Sequence, residues 1–267
     1  MMKLNIYKEG FPPSNGWHIT EAITAKVFDI LSTVTGISDT RSVIIINNPS
    51  GPLCCNPTSE NLRAFDSSLP APLPEVSRIL ILDTKGNYYC QWVYQLAHEI
   101  CHHLINGKMC DGLCGCQWFE ETLCEEASLF CLSKLSDPIL RRQWDCPHYA
   151  LCVRSYLDSH LQSSYSLRQK YYSWNPIEHP QGIAPWRDTL EETSTLGIGK
   201  LQRTICTAVA SLLYPIFLHN PRLWEIAAHI GDSTQFPKLE ALLSHLEVTA
   251  TPAYSESLKE MNQLLLG

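Results

Sequence analysis

The stretch that decides the fold is Leu96-Ala97-His98-Glu99-Ile100-Cys101-His102-His103. It lies in a segment of helical periodicity, which predicts a helix over Tyr89–Ile105 that ends at the Asn106-Gly107 stop signal. One face of this helix carries four apolar side chains, one per turn, which are Trp92, Leu96, Ile100 and Leu104. The pattern predicts a helix that is packed on this face and presents its histidines to a cleft on the other.

The two histidines at the ends of the motif HExxH are four residues apart. On a helix this spacing places His98 and His102 one turn above each other, so both imidazoles can reach a single metal ion. Glu99 then lies beside the ion rather than on it, where its carboxylate can take a proton from a metal-activated water. The motif therefore predicts a metal site with Glu99 as a general base.

Carboxylates that can complete this site lie in the next helix, which is predicted over 118–135 after a loop rich in Gly and Cys. A catalytic zinc ion takes three protein ligands and keeps one position open, and two histidines with one glutamate form a common set. Eighteen residues separate His102 from Glu121. Glu121 is thus a candidate for the third ligand.

This spacing, together with the pattern Trp118-Phe119-x-Glu121 at the start of a helix, resembles the gluzincin metallopeptidases, and the aminopeptidase-N family in particular. The resemblance covers residues 97–128. It implies three ligands for Zn²⁺, which are His98, His102 and Glu121. It also implies Glu99 as the catalytic base and a compact, minimal zincin-like fold. The family's Gly-x-Met-Glu-Asn segment, which anchors the free amine of the substrate, is not found in this sequence, so exopeptidase specificity is not implied.

Helical phase also gives expected positions for three neighbouring polar residues. Glu125 lies one turn after Glu121 on the same face, where it can accept a hydrogen bond from a ligating histidine, as such histidines usually require. It is also the alternative third ligand. Glu120 is expected to point away from the site around the helix, and His103 is expected at the surface or as a hydrogen-bond donor.

The rest of the chain predicts the α+β class, with a predominantly helical body. Short aliphatic runs predict strands at 4–7, 43–46 and 78–82. Further helices are predicted at 20–31, 149–161, 201–218, 221–230, 238–246 and 255–265. A small N-terminal sheet thus precedes the metal-binding helix pair and a C-terminal helical lobe.

Proline and glycine mark the expected boundaries. The Pro-rich stretch 51–74 predicts a long surface excursion, and 175–199 is the best candidate for a linker. We expect a metal-binding lobe over 1–146 and a helical lobe over 147–267, or one continuous domain that contains both.

Composition excludes several classes of function. The 267 residues carry a net charge of −7, and no cluster of Lys and Arg offers a surface for nucleic acid. No apolar run is long enough for a membrane span, and residues 1–10 carry no apolar run of the length of a secretory signal, so a cytoplasmic location is expected. The twelve cysteines are then expected to be thiols, many of them buried. In the loop, Cys110, Cys114 and Cys116 are expected to be free thiols or, alternatively, part of a second zinc site.

These observations predict a zinc metallopeptidase that hydrolyses a peptide or protein substrate. The alternatives are a regulatory protease with one protein partner and a non-catalytic protein that keeps the metal site for binding. The strand 78–82 is a candidate edge strand for pairing with an extended peptide. Candidates for stabilising the oxyanion, as Tyr or His does in related enzymes, are Tyr149, Tyr156, Tyr171, Tyr172 and His148.

Overall fold

The computed structural model describes residues 4–6, 17–37, 43–48, 51–55, 78–84, 88–106, 116–137, 147–172, 183–193, 200–230, 236 and 238–267. Within them the chain is predominantly helical and carries one four-stranded sheet, which confirms the α+β prediction. None of the described helices is both long enough and apolar enough to cross a membrane.

The elements follow the predicted order. Strands β1 to β4 are Leu4–Ile6, Val43–Asn47, Leu53–Cys55 and Arg78–Leu82. Helices α1 to α9 are Trp17–Thr35, Tyr89–Ile105, Gln117–Ser136, Pro147–Tyr172, Ala184–Thr193, Lys200–His219, Ala227–Ile230, Leu239–Thr249 and Ser255–Leu266. A 3₁₀ helix, Pro221–Ile226, joins α6 to α7.

The sheet has the order β1-β2-β4-β3. Strands β1, β2 and β4 are parallel, whereas β3 pairs antiparallel with β4, with Cys54 opposite Leu80. The prediction that 78–82 forms an edge strand was therefore wrong, because β4 is paired on both sides. Its second partner lies in the stretch that had been expected to be a surface excursion. Gly51 permits this pairing, since a Cβ there would come within 2.9 Å of the Leu82 backbone.

Both faces of the sheet are buried. Val43, Ile45, Leu80 and Leu82 join the main hydrophobic core with the helices, while the alternate residues form a smaller cluster on the other face, made of Ile44, Ile46, Cys55, Ile79 and Ile81. When both faces of a sheet are covered, each strand consists of consecutive aliphatic residues rather than alternating apolar and polar ones. This explains the sequences of β2 and β4.

Side chains of α2 fix the junction between β4 and the metal-binding helix. The Gln95 side chain accepts a hydrogen bond from the Asp83 amide at 2.9 Å and donates one to the Asp83 carbonyl at 3.1 Å. Gln91 donates a further one to the same carbonyl at 3.0 Å. These three bonds hold the end of β4 against the first turns of α2, and so set the direction in which the helix leaves the sheet.

Helix α2 lies at the centre of the fold. It packs against α1, α3, α4, α7 and the strands β3 and β4. The predicted apolar stripe of Trp92, Leu96, Ile100 and Leu104 is buried, as expected. His103 is also fully buried, so the expectation that it lies at the surface was wrong. Its face of the helix is covered because α2 has packing partners on more than one side.

Two predictions in the second half of the chain were wrong in extent. Helix α4 reaches residue 172 rather than 161. The segment 175–199 contains α5, so it is not a linker throughout. Pro185 lies in the first turn of α5, where the missing amide proton is tolerated, and Trp186 and Leu190 bury one face of the helix.

The division into lobes over 1–146 and 147–267 stays a prediction. One hydrophobic cluster contains residues of both segments, among them Phe130 of α3 and Trp224 of the 3₁₀ helix, whose rings are 5.6 Å apart.

Nine cysteines lie in the described part of the chain as thiols, and six of them are buried. This agrees with the expectation that they act as small apolar residues. Cys116 is one of the buried six, whereas Cys110 and Cys114 lie outside the described residues.

Candidate metal centre

Helix α2 brings its two histidines together as the spacing predicts. The Nε2 atoms of His98 and His102 are 3.2 Å apart, and the two rings lie edge to face with centroids 4.9 Å apart. Two imidazoles that direct the same nitrogen to one point are arranged to bind one metal ion rather than to form hydrogen bonds with the backbone.

Glu121 closes a triangle with these two nitrogens. Its Oε2 is 3.4 Å from Nε2 of His98, and its Oε1 is 3.4 Å from Nε2 of His102. His98, His102 and Glu121 form the group of His, Cys, Asp or Glu side chains that can hold a metal ion in the described part of the chain. Their side chains are 12% to 17% exposed, so the group is sheltered but open to solvent.

The spacing of these donors is close to that around a tetrahedral ion. Zinc binds His nitrogen and carboxylate oxygen at about 2.0–2.2 Å, so two ligand atoms at tetrahedral corners lie roughly 3.3–3.5 Å apart. The two Nε2 atoms are 3.2 Å apart, and each lies 3.4 Å from a different oxygen of the Glu121 carboxylate. One donor atom from each of the three residues lies within 4.8 Å of the other two. The donor set therefore suits a zinc-sized ion, and with one atom from each residue it leaves one corner of the tetrahedron for another ligand.

Buried aromatic residues at the start of α3 position Glu121. Trp118 and Phe119 are at most 1% exposed. The Trp118 carbonyl accepts hydrogen bonds from Thr122 Oγ1 at 2.8 Å and from the Cys206 thiol of α6 at 3.4 Å. The aromatic pair thus anchors the first turn of α3 in the core. Glu121, two residues after Phe119, then lies on the side of α3 that faces α2.

Glu120 contacts the site, although it was expected to point away. Its Oε1 accepts a hydrogen bond from Nδ1 of His102 at 2.6 Å and another from the Asn106 amide at 2.6 Å. Helices α2 and α3 pack so closely that two adjacent glutamates reach opposite edges of one imidazole, with Glu121 at Nε2 and Glu120 at Nδ1. Helical phase alone did not reveal this, because the contact depends on the distance between the helices.

Glu125 lies beside the other histidine. Its Oε1 is 3.7 Å from Nδ1 of His98, and its Oε2 accepts a hydrogen bond from the Tyr94 hydroxyl. The 3.7 Å separation is longer than a hydrogen bond but allows one after a small shift. Each histidine therefore presents Nε2 to the triangle and Nδ1 to a separate carboxylate.

The interactions within this cluster favour protonated imidazoles and an ionised Glu121 carboxylate. Burial lowers the pKa of His102, but the hydrogen bonds that His102 donates to Glu120 and Glu121 outweigh the effect of burial, so its pKa lies well above the usual value. The pKa of His98 is raised in the same way, by Glu121 and Glu125 against burial. Burial raises the pKa of Glu121, but the two imidazoles reverse this and lower it. A divalent ion bound in place of the imidazole protons would balance the negative charge of the Glu121 carboxylate in the same way.

Glu99 is almost fully buried beside the triangle, with 2% of its surface exposed. Burial raises the pKa of its carboxyl above the usual value, whereas His98, His102 and Arg203 of α6 act in the opposite direction. A raised pKa suits a group that must both accept and return a proton near neutral pH. Arg203 had not been singled out in the sequence, where nothing local connects α6 to Glu99.

Two of the candidates for stabilising an oxyanion have aromatic contacts in the described part of the chain. Tyr149 packs edge-on against Tyr89, with centroids 5.5 Å apart, and Tyr156 packs against His160 at 4.6 Å. The side chains of His148, Tyr171 and Tyr172 lie outside the described residues.

Comparison with protein-family models, with curated proteins and with solved structures finds no match for this chain. The interpretation of the centre therefore depends on its own geometry. His98, His102 and Glu121 each bring one donor atom to within 4.8 Å of the others, and the carboxyl group of Glu99 is buried next to them.

Proposed function

We propose that this protein is a zinc-dependent metallopeptidase of the gluzincin type, which hydrolyses peptide bonds. The observation that carries the proposal is the convergence of His98 Nε2, His102 Nε2 and the Glu121 carboxylate. The two nitrogens are 3.2 Å apart, and each lies 3.4 Å from one oxygen of that carboxylate. A non-catalytic structural zinc site is usually closed by four protein ligands, whereas three with an open position are typical of catalysis.

The residues have distinct roles in this proposal. His98, His102 and Glu121 hold the zinc ion, and Glu120 and Glu125 orient the two histidines through Nδ1. Bound zinc makes water nucleophilic near neutral pH and polarises a carbonyl group. Glu99 takes the proton of the attacking water and then hands it to the nitrogen of the departing amine, which restores its ionised form.

A peptide is the substrate that we propose, because the sheet has an end strand with which an extended chain could pair. In the described part of the sheet, β3 has β4 as its neighbour and stands at the end of the strand order. The strand β3 packs against α2, the helix that carries Glu99. In agreement with this contact, burial first and then the charge of Glu99 raise the pKa of Cys54 in β3 to about 12. An extended peptide that pairs with β3 would bring its backbone past Glu99.

The zincin-like fold and the cytoplasmic location are parts of the same proposal. A small mixed sheet leads into the helix with HExxH, and the next helix supplies the third acid, which is the order that the gluzincin resemblance implies. Cysteines present as thiols are typical of a reducing compartment.

The test compares wild type with Glu99→Gln and with the surface control Glu256→Gln. We expect one zinc per chain in all three proteins by elemental analysis, because Glu99 is not a ligand. Hydrolysis of casein or of a peptide library, followed by mass spectrometry, should vanish in Glu99→Gln and persist in Glu256→Gln. Cleavage that survives Glu99→Gln, or a wild type without zinc, would contradict the proposal.

The remaining outcome separates the alternatives. Stoichiometric zinc without cleavage of any library peptide would favour a non-catalytic binding protein. Cleavage restricted to one protein, found by incubating a whole proteome with wild type and with Glu99→Gln, would favour a regulatory protease.

A further inference from the structure

A tyrosine holds the carboxylate that faces His98. Tyr94 lies one turn before His98 on α2, and its hydroxyl donates a hydrogen bond to Oε2 of Glu125. The other oxygen of this carboxylate, Oε1, faces Nδ1 of His98 at 3.7 Å. A carboxylate is planar, so the donor bound to one oxygen determines where the other points. The direction in which Glu125 faces the histidine therefore depends on the Tyr94 hydroxyl.

The ring of Tyr94 is itself fixed by α4. His160 stacks on it with centroids 4.5 Å apart and an angle of 23° between the planes. Tyr156 meets the same ring edge-on at 6.2 Å and packs against His160 at 4.6 Å. Ser128 of α3 donates a hydrogen bond to the Tyr94 carbonyl at 2.8 Å. Aromatic contacts from α4 and a backbone contact from α3 together leave the phenol little freedom.

The second histidine has an equivalent arrangement made of different groups. Glu120 accepts from Nδ1 of His102 and is held by the side-chain amide of Asn106. Each histidine thus has one carboxylate, and each carboxylate has one neutral donor. The amide donor, Asn106, directly follows the end of α2. The phenol donor, Tyr94, instead packs against α4, a helix from the second half of the chain.

We propose that Tyr94 is a positioning residue of the metal centre, which directs the Glu125 carboxylate towards His98, and that His160 and Tyr156 transmit the placement of α4 to that carboxylate. The inference rests on the proposed zinc site and deepens it, because it makes the affinity for the ion depend on a helix that supplies no ligand. Loss of the hydroxyl leaves the half-buried Glu125 without its donor and free to turn away from Nδ1.

Tyr94→Phe tests this directly, since it removes the hydroxyl and keeps the stacked ring. The matched control is Tyr88→Phe, which removes the hydroxyl of an exposed tyrosine that lies just before α2. The affinity for zinc is measured by competition with a chromophoric chelator, and the geometry by the visible spectrum of the Co²⁺-substituted protein. Thermal unfolding of the metal-free proteins shows whether either variant is disturbed as a whole.

We expect Tyr94→Phe to weaken zinc binding by about 10- to 100-fold, the range for partners that support a metal-ligating histidine, and to change the Co²⁺ spectrum. Tyr88→Phe should stay within about 2-fold of wild type, which is the spread expected for a surface substitution. In a Glu125→Ala background, Tyr94→Phe should have no further effect, because the tyrosine acts through that carboxylate.

Two results would overturn the inference. One is a Tyr94→Phe protein with wild-type zinc affinity and an unchanged Co²⁺ spectrum. The other is a loss of affinity that is equally large with and without Glu125. Neither measurement uses hydrolysis, so a protein that behaves as expected here yet cleaves no peptide would contradict the proposed function alone.

Discussion

Glu120 Oε1 lies 2.6 Å from Nδ1 of His102 and supports this imidazole on the edge opposite to Glu121. A histidine that binds a metal through Nε2 needs a partner for the proton on Nδ1, and a carboxylate also makes the ring a stronger donor to the ion. Glu120 is therefore part of the centre without being a ligand.

The first prediction concerns this contact. Glu120→Ala should lower the zinc affinity by about 10- to 100-fold, and Glu120→Gln should lower it less, because an amide oxygen still accepts the hydrogen bond without the charge. Competition titrations with a chelator measure both. Glu256→Ala, an exposed glutamate of α9, is the control. Equal affinities of Glu120→Ala and wild type would show that the contact does not support the metal.

The second prediction separates the two candidate third ligands. Glu121→Ala removes an atom of the triangle and should weaken zinc binding by more than about 100-fold, beyond the range for a supporting residue. Glu125→Ala should fall within that range. Elemental analysis after dialysis should find zinc in Glu125→Ala and none in Glu121→Ala. The opposite ranking would make Glu125 the ligand.

The third prediction concerns removal of the metal. An ion that binds the folded chain stabilises it by about 2.7 kcal/mol when its free concentration is 100 times Kd. Addition of a chelator should therefore lower the Tm of wild type, and zinc should restore it. His98→Ala, which lacks one nitrogen of the triangle, should unfold at the same temperature with and without zinc. A zinc-dependent Tm in that variant would place the ion elsewhere.

The fourth prediction follows from Arg203 and the pKa of Glu99. The guanidinium favours the ionised carboxylate, so Arg203→Gln should raise the pKa of Glu99 further. Because the base must be ionised to accept a proton, the acid limb of the kcat/KM profile should move to higher pH. The difference should shrink at high salt, since Arg203 is exposed. Arg154→Gln, which loses an exposed pair with Asp158, should leave the profile unchanged.

The fifth prediction concerns Glu126, a fully buried residue whose carboxylate oxygens have no hydrogen-bond partner among the described residues. Burial raises the pKa of its carboxyl well above the ordinary value of 4.5. Above about pH 4.5 the unfolded chain loses this proton while the folded chain keeps it, so the free energy of unfolding falls as pH rises.

Glu126→Met removes this proton linkage. It should stabilise the protein at pH 8 by about 1–3 kcal/mol, the penalty of an unsatisfied buried group, and by less at pH 5. Urea unfolding at the two pH values measures the effect. Glu240→Met, at an exposed site, should keep the pH dependence of wild type. An unchanged dependence in Glu126→Met would mean that Glu126 is solvated.

Local periodicity was sufficient to predict the helices that carry the site. The spacing of His98 and His102, and the apolar stripe opposite them, require only helical geometry, and Glu121 followed from the pattern at the start of the next helix. The supporting contacts of Glu120 and Arg203 were not predictable in this way. They depend on how closely α3 and α6 approach α2, which is set by the packing of the whole core.

The sheet also contains a strand that local periodicity did not predict. The aliphatic runs predicted β2 and β4, but β3 has only three residues and lies in a Pro-rich stretch, so no periodicity marks it. Without β3, β4 was taken for an edge strand. Whether β4 is an edge strand depends on pairing between segments that are distant in the sequence. The residues next to each strand do not indicate this pairing.

All three candidate donors to an ion, and both carboxylates behind the histidines, belong to the helix pair α2 and α3. A nascent chain that has left the ribosome as far as Glu125 already carries the complete donor set, before α4 to α9 have emerged. Metal capture can then precede docking of the C-terminal helices, and the ion can act as a template on which the rest of the molecule assembles.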